Sequence, residues 1–489
     1  MGTLALSPRS CELVFPQGLY DRLHRHLFPG DHDEHGAIVA AGLARGDDGR
    51  VRLLARSVHL AQDGVDFVPG NRGYRMFRAT YVRDRILECA DDKLVYLNVH
   101  NHGGTDRVAF SQDDLASHER GYPALLDLAE GQPVGALVFA ERAIAGDIWW
   151  PGGLRMTIDR TIVMGRRRTV LLPEPLKIIT AAAAAYDRQT RIFGDAGQAI
   201  LKGAKVGIIG VGGVGALLVE YLARLGVGHF VLIEAERIDH TNLARFSGAT
   251  RLDALAWFFD GRWPAWVKSI ARRLCARKIR IAKRIIRRAN AHAHIEAYAT
   301  DFLKPESAAR TFDCDYLFLA ADTMRARLLF NAIVHQYLIP GVQVGAKVSA
   351  DASTGEITGI HTISRPINAE YGCLLCNGLI NAAKLQEEGQ TARELHEQRY
   401  VDDVTVAAPS VITLNATVAS QAANDFLFYM TGLTEPTANA GYLRFSPLTR
   451  EAFYEEPRRS SECGECSGLA RSRLARGDLG RRLPSFYRG

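Results

Sequence analysis

The spacing of hydrophobic positions changes partway along the chain. From about Cys11 to Arg160, short apolar runs alternate with mixed stretches; the clearest are Gly36–Leu43, Leu94–Val99 and Val134–Phe139. Apolar runs of this length, bounded by polar or glycine-rich segments, read as buried strands. The alternation then breaks at Gly165-Arg166-Arg167-Arg168, the proline-containing stretch Leu172–Leu176 and the alanine run Ala181–Ala185. This shift places a linker at 166–185, between a first domain at 1–165 and a second at 186–489. From Tyr186 onward the order is strand, glycine-rich turn, helix, strand, the opening of a doubly wound α/β fold. Ala271–Arg288 interleaves Arg and Lys with Leu274, Ile279, Ile281, Ile285 and Ile286, which predicts an amphipathic helix with a solvated basic face. The Arg-rich tail after Cys466 is expected to be loosely ordered.

Composition narrows the class. A chain of 489 residues exceeds one typical domain, and 47% hydrophobic with 23% charged residues is ordinary for soluble globular proteins. No apolar run approaches the roughly 20 residues a membrane helix needs. The first twenty residues contain Pro8, Glu12 and Pro16, so they lack the apolar core of a secretory signal, and a cytoplasmic protein is expected. A net charge of +6 is too modest to call for a nucleic-acid partner, although the basic stretch leaves one open. Of eight cysteines, four form two Cys-x-x-Cys pairs, which points to metal in a reducing compartment rather than to disulfides.

Lys205–Ile209 reads as a buried strand running into Gly210-Val211-Gly212-Gly213-Val214-Gly215 and a helix through Ala223. A tight glycine turn lets the backbone approach phosphates, and the helix amino terminus supplies N–H donors. Glu234 ends the next strand, where an acid binds ribose hydroxyls. Alone, the glycine pattern is weak; with strand, helix and acid in order it predicts nucleotide binding.

Several spaced motifs between about Tyr186 and Cys466 resemble the ThiF/MoeB/HesA family, relatives of ubiquitin-activating enzymes. They are Tyr186-Asp187-Arg188-Gln189, Asn242-Leu243-Ala244-Arg245, Lys278 set twelve residues before Asn290, Asp322 in Ala320-Ala321-Asp322-Thr323, and Arg327 with Asn331. The resemblance implies a Rossmann-like adenylation domain. There a ubiquitin-like protein's terminal carboxylate attacks the α-phosphate of ATP. Arg245 and Lys278 would hold phosphates, Asp322 would hold Mg²⁺, and Arg188 would reach across a homodimer into the partner's site. Between Arg245 and Lys278 the chain is longer than compact family members, and Trp257, Phe258, Phe259, Trp263 and Trp266 there read as a packed insertion or a docking surface.

Cys373, Cys376, Cys463 and Cys466 supply four thiolates in two pairs, a closed donor set for a structural zinc. No cysteine lies between Cys376 and Cys463, where thioester-forming family members carry their nucleophile; the matching region reads Val406-Ala407-Ala408-Pro409-Ser410-Val411. Cys11, Cys89, Cys275 and Cys314 read as inert small hydrophobes. The acyl-adenylate would then pass to a conjugating enzyme, or to a sulfur donor protein in a sulfur-carrier pathway.

The first domain carries its own constellation. His100 and His102 end the strand Leu94–Val99 on one face, and Asp114 follows in Ser111-Gln112-Asp113-Asp114. Three such ligands leave an open fourth position, the catalytic type of zinc site. With Glu34 upstream, the set resembles the JAMM (JAB/MPN) metalloprotease signature. That resemblance implies an α/β isopeptidase fold with Glu34 as base, Ser111 stabilising the oxyanion, and Asp33 as a rival base. Gly103 replaces the usual Pro after the second His, and the loop to Ser111 is one residue longer than the common form. The whole chain thus reads as a protease fused to an activator, using ATP, Mg²⁺, one catalytic and one structural Zn²⁺; the two resemblances together imply a bacterial ubiquitin-like conjugation or defence system. A non-catalytic scaffold that only binds a ubiquitin-like protein is the remaining alternative.

Overall fold

In the computed structural model the described residues are 9–70, 75–176, 181–350, 356–389, 410–435, 439 and 441–486. The segment Val406–Pro409 lies outside them. The chain forms two compact units, one of residues 1–179, 335–338 and 460–482, the other of 180–334, 339–459 and 483–489.

The first unit is built on nine strands: β1 (Ser10–Pro16), β2 (Gly36–Arg45), β3 (Arg50–Leu60), β4 (Val95–Asn101), β5 (Val134–Phe139), β6 (Ile144–Trp149), β7 (Arg155–Thr157), β8 (Arg160–Met164) and β9 (Arg168–Leu171). Their order is β7-β6-β5-β4-β2-β3-β1-β8-β9. In β2 every residue but Arg45 is buried, as a central strand covered on both faces requires. Strand period two divides its side chains between two cores. Ala37, Val39 and Ala41 join Leu13, Phe15 and Leu97, with Leu23 and Leu27 of the helix Gln17–Leu27 over them. Ile38 and Ala40 join Tyr96, under Ile86 of the helix Ala79–Asp91 and Tyr122 of the helix Gln112–Leu128.

The tail expected to be loose is packed within this unit as far as residue 482. Ala475 is fully buried, and Arg473 pairs with Glu465 at 3.1 Å. Arg56 of β3 donates to the carbonyls of Leu469 (2.6 Å) and Ala470 (3.2 Å), and the backbone N–H of Arg45 donates to Asp478 (2.8 Å). Arginine-rich composition concealed this, because several of these arginines hydrogen-bond main-chain carbonyls instead of facing water.

The second unit is built on eight strands: β10 (Lys205–Ile209), β11 (His229–Ile233), β12 (His294–Tyr298), β13 (Tyr316–Leu319), β14 (Gly341–Ala350), β15 (Ile357–Ile367), β16 (Tyr442–Ser446) and β17 (Glu451–Glu455). Their order is β12-β11-β10-β13-β14-β15-β16-β17. The first five run parallel, and β14 to β17 pair antiparallel. Val206, Phe230 and Phe318 face one core with Leu218 of the helix Gly213–Leu225, Ile281 of Lys278–Ala289 and Phe426 of Ile412–Thr431. This is a mixed α/β fold with a Rossmann-like parallel half.

Two expectations change here. The basic stretch is two helices, Ala265–Leu274 and Lys278–Ala289, because Cys275 and Arg277 between them adopt extended backbone. The Cys275 thiol bonds the carbonyl of Ala254 there. The aromatic insertion is only partly packed: His240 stacks on Phe259 at 4.4 Å, but Trp257, Trp263 and Trp266 are exposed.

Candidate functional sites

The glycine turn sits where β10, β11 and β13 end. Gly210 has φ +87°, and a Cβ on it would lie 2.9 Å from the backbone nitrogen of Ala321. A Cβ on Gly215 would lie 2.1 Å from the carbonyl oxygen of Gly210, so both glycines are required for strand, turn and helix to close together. A Cβ on Gly213 would meet Nδ2 of Asn415 at 2.4 Å, whereas one on Gly212 would meet nothing within 4 Å. Gly212 therefore marks the open side of the turn. No side chain caps the helix Gly213–Leu225, so the amides of its first turn face that opening and suit an anion.

Glu234 follows β11 and accepts from the N–H groups of Val211 (2.8 Å) and Glu236 (2.8 Å). It thereby fixes the turn as well as marking the expected ribose position. Lys278 opens its helix, nearly buried, with its ammonium against the Glu236 carboxylate. Asn242 ends a short 3₁₀ turn and accepts from the N–H of Asp239 at 3.1 Å. One turn on, Arg245 has a half-buried guanidinium without a hydrogen bond or ion pair among the described residues. Asp322 is exposed just after β13. Burial pushes the Arg327 guanidinium down from its ordinary pKa, and the Asp322 and Glu388 charges oppose that.

Two residues of the motif lie elsewhere. Asn331 is fully buried, and its Oδ1 accepts from the N–H of Leu374 (2.8 Å), so it holds the Cys373–Cys376 turn. Arg188 is exposed on the first turn of the helix Asp187–Gly203 and makes no hydrogen bond or ion pair among the described residues. Glu236 and Asn415, which contact Lys278 and adjoin Gly213, were not singled out from sequence; Glu236, two residues past Glu234, was the readable one.

In the first unit, β4 delivers His100 and the following residue but one delivers His102. Their Nε2 atoms are 3.2 Å apart. Asp114 approaches through Oδ1 to His100 (3.4 Å) and Oδ2 to His102 (3.4 Å). Ligand atoms around a tetrahedral zinc with bonds of about 2.0–2.1 Å stand roughly 3.3 Å apart, so the three side chains fit that ion. Glu34 has a carboxylate oxygen within 4.8 Å of both imidazoles, and its Oε2 accepts from the N–H of Arg75 at 2.9 Å. Asp33 instead faces the Arg75 guanidinium at 3.4 Å. Burial pushes the Asp114 carboxyl up, but bonds from His100, His102 and Ser111 outweigh it and hold it far below the usual range.

Ser111, expected to stabilise an oxyanion, is the N-cap of the helix Gln112–Leu128. Its hydroxyl accepts from the N–H of Asp114 (3.1 Å) and donates to Oδ2 of Asp114 (2.7 Å). The hydroxyl thus caps the helix backbone with its lone pair and donates its proton to the Asp114 carboxylate, so both of its ends are engaged by Asp114.

Cys373 with Cys376 in the second unit, and Cys463 with Cys466 in the first, each offer a pair of sulfurs, the donor type a thiolate zinc takes. Within each pair the first sulfur accepts a backbone N–H, from Cys376 (3.3 Å) and from Glu465 (3.4 Å). The remaining cysteines are buried; burial, helped by Glu88 and Asp92, pushes the Cys89 thiol up to about 12.

Residues 186–467 match the model of the ThiF family. Similar curated proteins include tRNA threonylcarbamoyladenosine dehydratase of Bacillus subtilis, 40% identical over 60 residues, 12% of this chain and 24% of that protein. The Escherichia coli protein of the same name is 26% identical over 184 residues, 37% of this chain and 61% of that one. The adenylyltransferase and sulfurtransferase UBA4 of Yarrowia lipolytica is 36% identical over 62 residues, 12% of this chain and 16% of that protein. The chain thus spans less than two thirds of the length of each. Escherichia coli MccB in a succinimide complex aligns in structure with a TM-score of 0.44 at 18% identity, covering 58% of this chain and 73% of that one. Because the family match extends over more than half of its length, the chain belongs to the ThiF family.

Proposed function

We propose that this protein adenylates the terminal glycine carboxylate of a ubiquitin-like protein with ATP, and that its first unit is a JAMM-type zinc isopeptidase acting on the same tail. Family membership and the glycine turn, open at Gly212 beside the uncommitted guanidinium of Arg245, carry the first half. In the reaction a carboxylate oxygen bonds to the α-phosphorus, the bond to the β-phosphate oxygen breaks, and pyrophosphate leaves. The chain's part is electrostatic positioning. First-turn amides of Gly213–Leu225 and Arg245 receive phosphate charge, Lys278 exchanges Glu236 for phosphate, and Glu234 with Asn242 frames the ribose. Asp322 offers an exposed carboxylate for Mg²⁺, which neutralises phosphate charge when bound. Arg188, exposed and without a hydrogen bond or ion pair among the described residues, is proposed to complete the site of a second protomer in a homodimer.

For the first unit, the spacing of His100, His102 and Asp114 supports a catalytic zinc; Glu34, within 4.8 Å of both imidazoles, is assigned as the base rather than as a fourth ligand. A bound zinc supplies Lewis acidity toward water and the scissile carbonyl. Glu34 takes the proton of the attacking water and returns it to the leaving amine, and Ser111 keeps Asp114 in place. The four-cysteine cluster is proposed to hold a structural zinc.

ATP–pyrophosphate exchange tests the activator reading. Exchange should require Mg²⁺ and a glycine-terminated ubiquitin-like protein; its absence with every such protein encoded beside this chain overturns the reading. A sulfur-carrier role is the second reading, favoured by the lack of any cysteine between Cys376 and Cys463. Thiocarboxylate formation on the adenylated protein distinguishes it from transfer to a conjugating enzyme.

A further inference from the structure

The carboxyl ends of β10 and β11 form the nucleotide edge of the second unit. The amino ends carry a separate cluster that no step above uses. His229 and His294 are the first residues of β11 and β12 and stand opposite each other in register. Strand period two puts Glu296 on the same face of β12 as His294. The two imidazole rings are 4.2 Å apart and nearly perpendicular. Nε2 of His229 lies 3.2 Å from Oε1 of Glu296, sealed from solvent yet without hydrogen-bond geometry to any partner among the described residues. One ligand atom from each of the three residues fits within 4.8 Å of the others.

We propose that His229, His294 and Glu296 form a second-unit zinc site that ties the edge strand β12 to β11. Two imidazole nitrogens with one carboxylate oxygen are a donor set for zinc rather than for Mg²⁺ or Ca²⁺, which take oxygen. The His229–Glu296 separation already matches the roughly 3.3 Å between ligands of a tetrahedral zinc. His294, being exposed, is free to turn its ring inward for the third bond. Surrounding charge permits a cation. Oε1 of Glu296 is 3.0 Å from the ammonium of Lys205, but that lysine also holds Asp313 at 2.9 Å and keeps this partner if the ion takes Glu296. Oε2 of Glu296 accepts from the Tyr298 hydroxyl (2.7 Å), which orients the carboxylate. The Glu296 and Asp313 carboxylates outnumber the ammonium in direct contact with them, and the Arg310 guanidinium lies farther out, over the Tyr298 ring. Each strand here is five residues long, which sets the cluster roughly 16 Å from the glycine turn. Its effect is therefore on the stability of the edge and not on the chemistry.

The test is a zinc titration of the full-length purified protein against a chromophoric chelator, with melting temperature followed in parallel. Wild type should take up one equivalent more than His294→Ala or Glu296→Gln, and zinc should raise its melting temperature more. His292→Ala, an exposed neighbour, should behave as wild type. Because His294 is exposed, loss of uptake in His294→Ala with an unchanged circular dichroism spectrum reports the ligand and not the fold. Equal zinc uptake by wild type, His294→Ala and Glu296→Gln overturns the site.

Discussion

Replacing Glu34 by Gln should abolish peptide cleavage while leaving the first unit folded and loaded with zinc. The glutamine keeps a carbonyl oxygen for the N–H of Arg75, which now donates to Oε2 at 2.9 Å, so the loop keeps its anchor. Zinc retention follows because His100, His102 and Asp114 offer ligand atoms without Glu34: the two Nε2 atoms stand 3.2 Å apart, and Asp114 sets Oδ1 3.4 Å from His100 and Oδ2 3.4 Å from His102. What disappears is the carboxylate that lies within 4.8 Å of both imidazoles and that is proposed as base rather than as ligand. A positioned general base contributes about 10²–10⁴ in rate, or roughly 3–5 kcal/mol of barrier. The assay is cleavage of a fusion in which a glycine-terminated ubiquitin-like protein precedes a reporter, with zinc measured in the same preparation. Asp33→Asn is the internal comparison. Asp33 is turned to the Arg75 guanidinium at 3.4 Å, so its loss should slow cleavage several-fold at most, through a less well held Arg75. If Asp33→Asn is the inactive variant and Glu34→Gln cuts normally, the assignment of the base is wrong. Wild type that binds zinc and never cuts would make the unit a binding module.

Asp322→Ala should eliminate pyrophosphate exchange without lowering the melting temperature, since Asp322 is exposed; normal exchange would reject it as the Mg²⁺ ligand. Gly212→Ala should fold normally but weaken ATP binding, because the added Cβ meets nothing within 4 Å and projects into the open side of the turn. Gly215→Ala should lose stability as well, with its Cβ 2.1 Å from a carbonyl oxygen; equal melting temperatures for the two variants would refute this account of the turn. Cys373→Ser should lower the melting temperature and release one zinc that His100→Ala retains, as elemental analysis will report. Burial pushes the Glu12 carboxyl up, but Arg52 and Arg160 more than offset it and hold it at about 2, below the ordinary 4.5. A folded pKa below the unfolded one means stabilisation that is complete above about pH 4.5 and lost as pH falls toward 2. Glu12→Gln should flatten the acid limb of an unfolding profile, and an unchanged limb would rule this ion cluster out.

The elements that sequence reading located well are those buried on both faces. Val134–Phe139 and Lys205–Ile209 are strands with the expected ends, since an apolar run between turn residues has few other ways to bury itself. The glycine turn was legible for a related reason: only glycine tolerates the positive φ at Gly210 and the close backbone approach at Gly215. Reading failed where a polar residue is satisfied by a main chain remote in sequence. Arg56 bonds carbonyls more than 400 positions away, and no local pattern announces such partners. The break at Cys275–Arg277 was hidden likewise, because apolar spacing on both sides fits one continuous helix, and the interruption comes from where Cys275 and Arg277 must sit.

The same division runs through the sites. Motif spacing picks out the residues able to carry charge, but the partner each one holds decides what it can do. Ser111 and Glu34 belong to one motif, yet the hydroxyl of Ser111 is occupied at both ends by Asp114, whereas Glu34 accepts a backbone N–H through Oε2. Lys278 and Arg245 are both cationic and both placed at the nucleotide edge, yet Lys278 must leave Glu236 to meet a phosphate, whereas Arg245 has no partner to leave among the described residues. Arg245 should therefore contribute more to ground-state ATP binding than Lys278, whose gain is reduced by the ion pair it gives up. Comparing ATP affinity for Arg245→Ala and Lys278→Ala measures that difference. Glu236→Gln completes the argument: freeing Lys278 from its partner should tighten ATP binding, and weaker binding in that variant would show that Glu236 positions the lysine rather than competing for it.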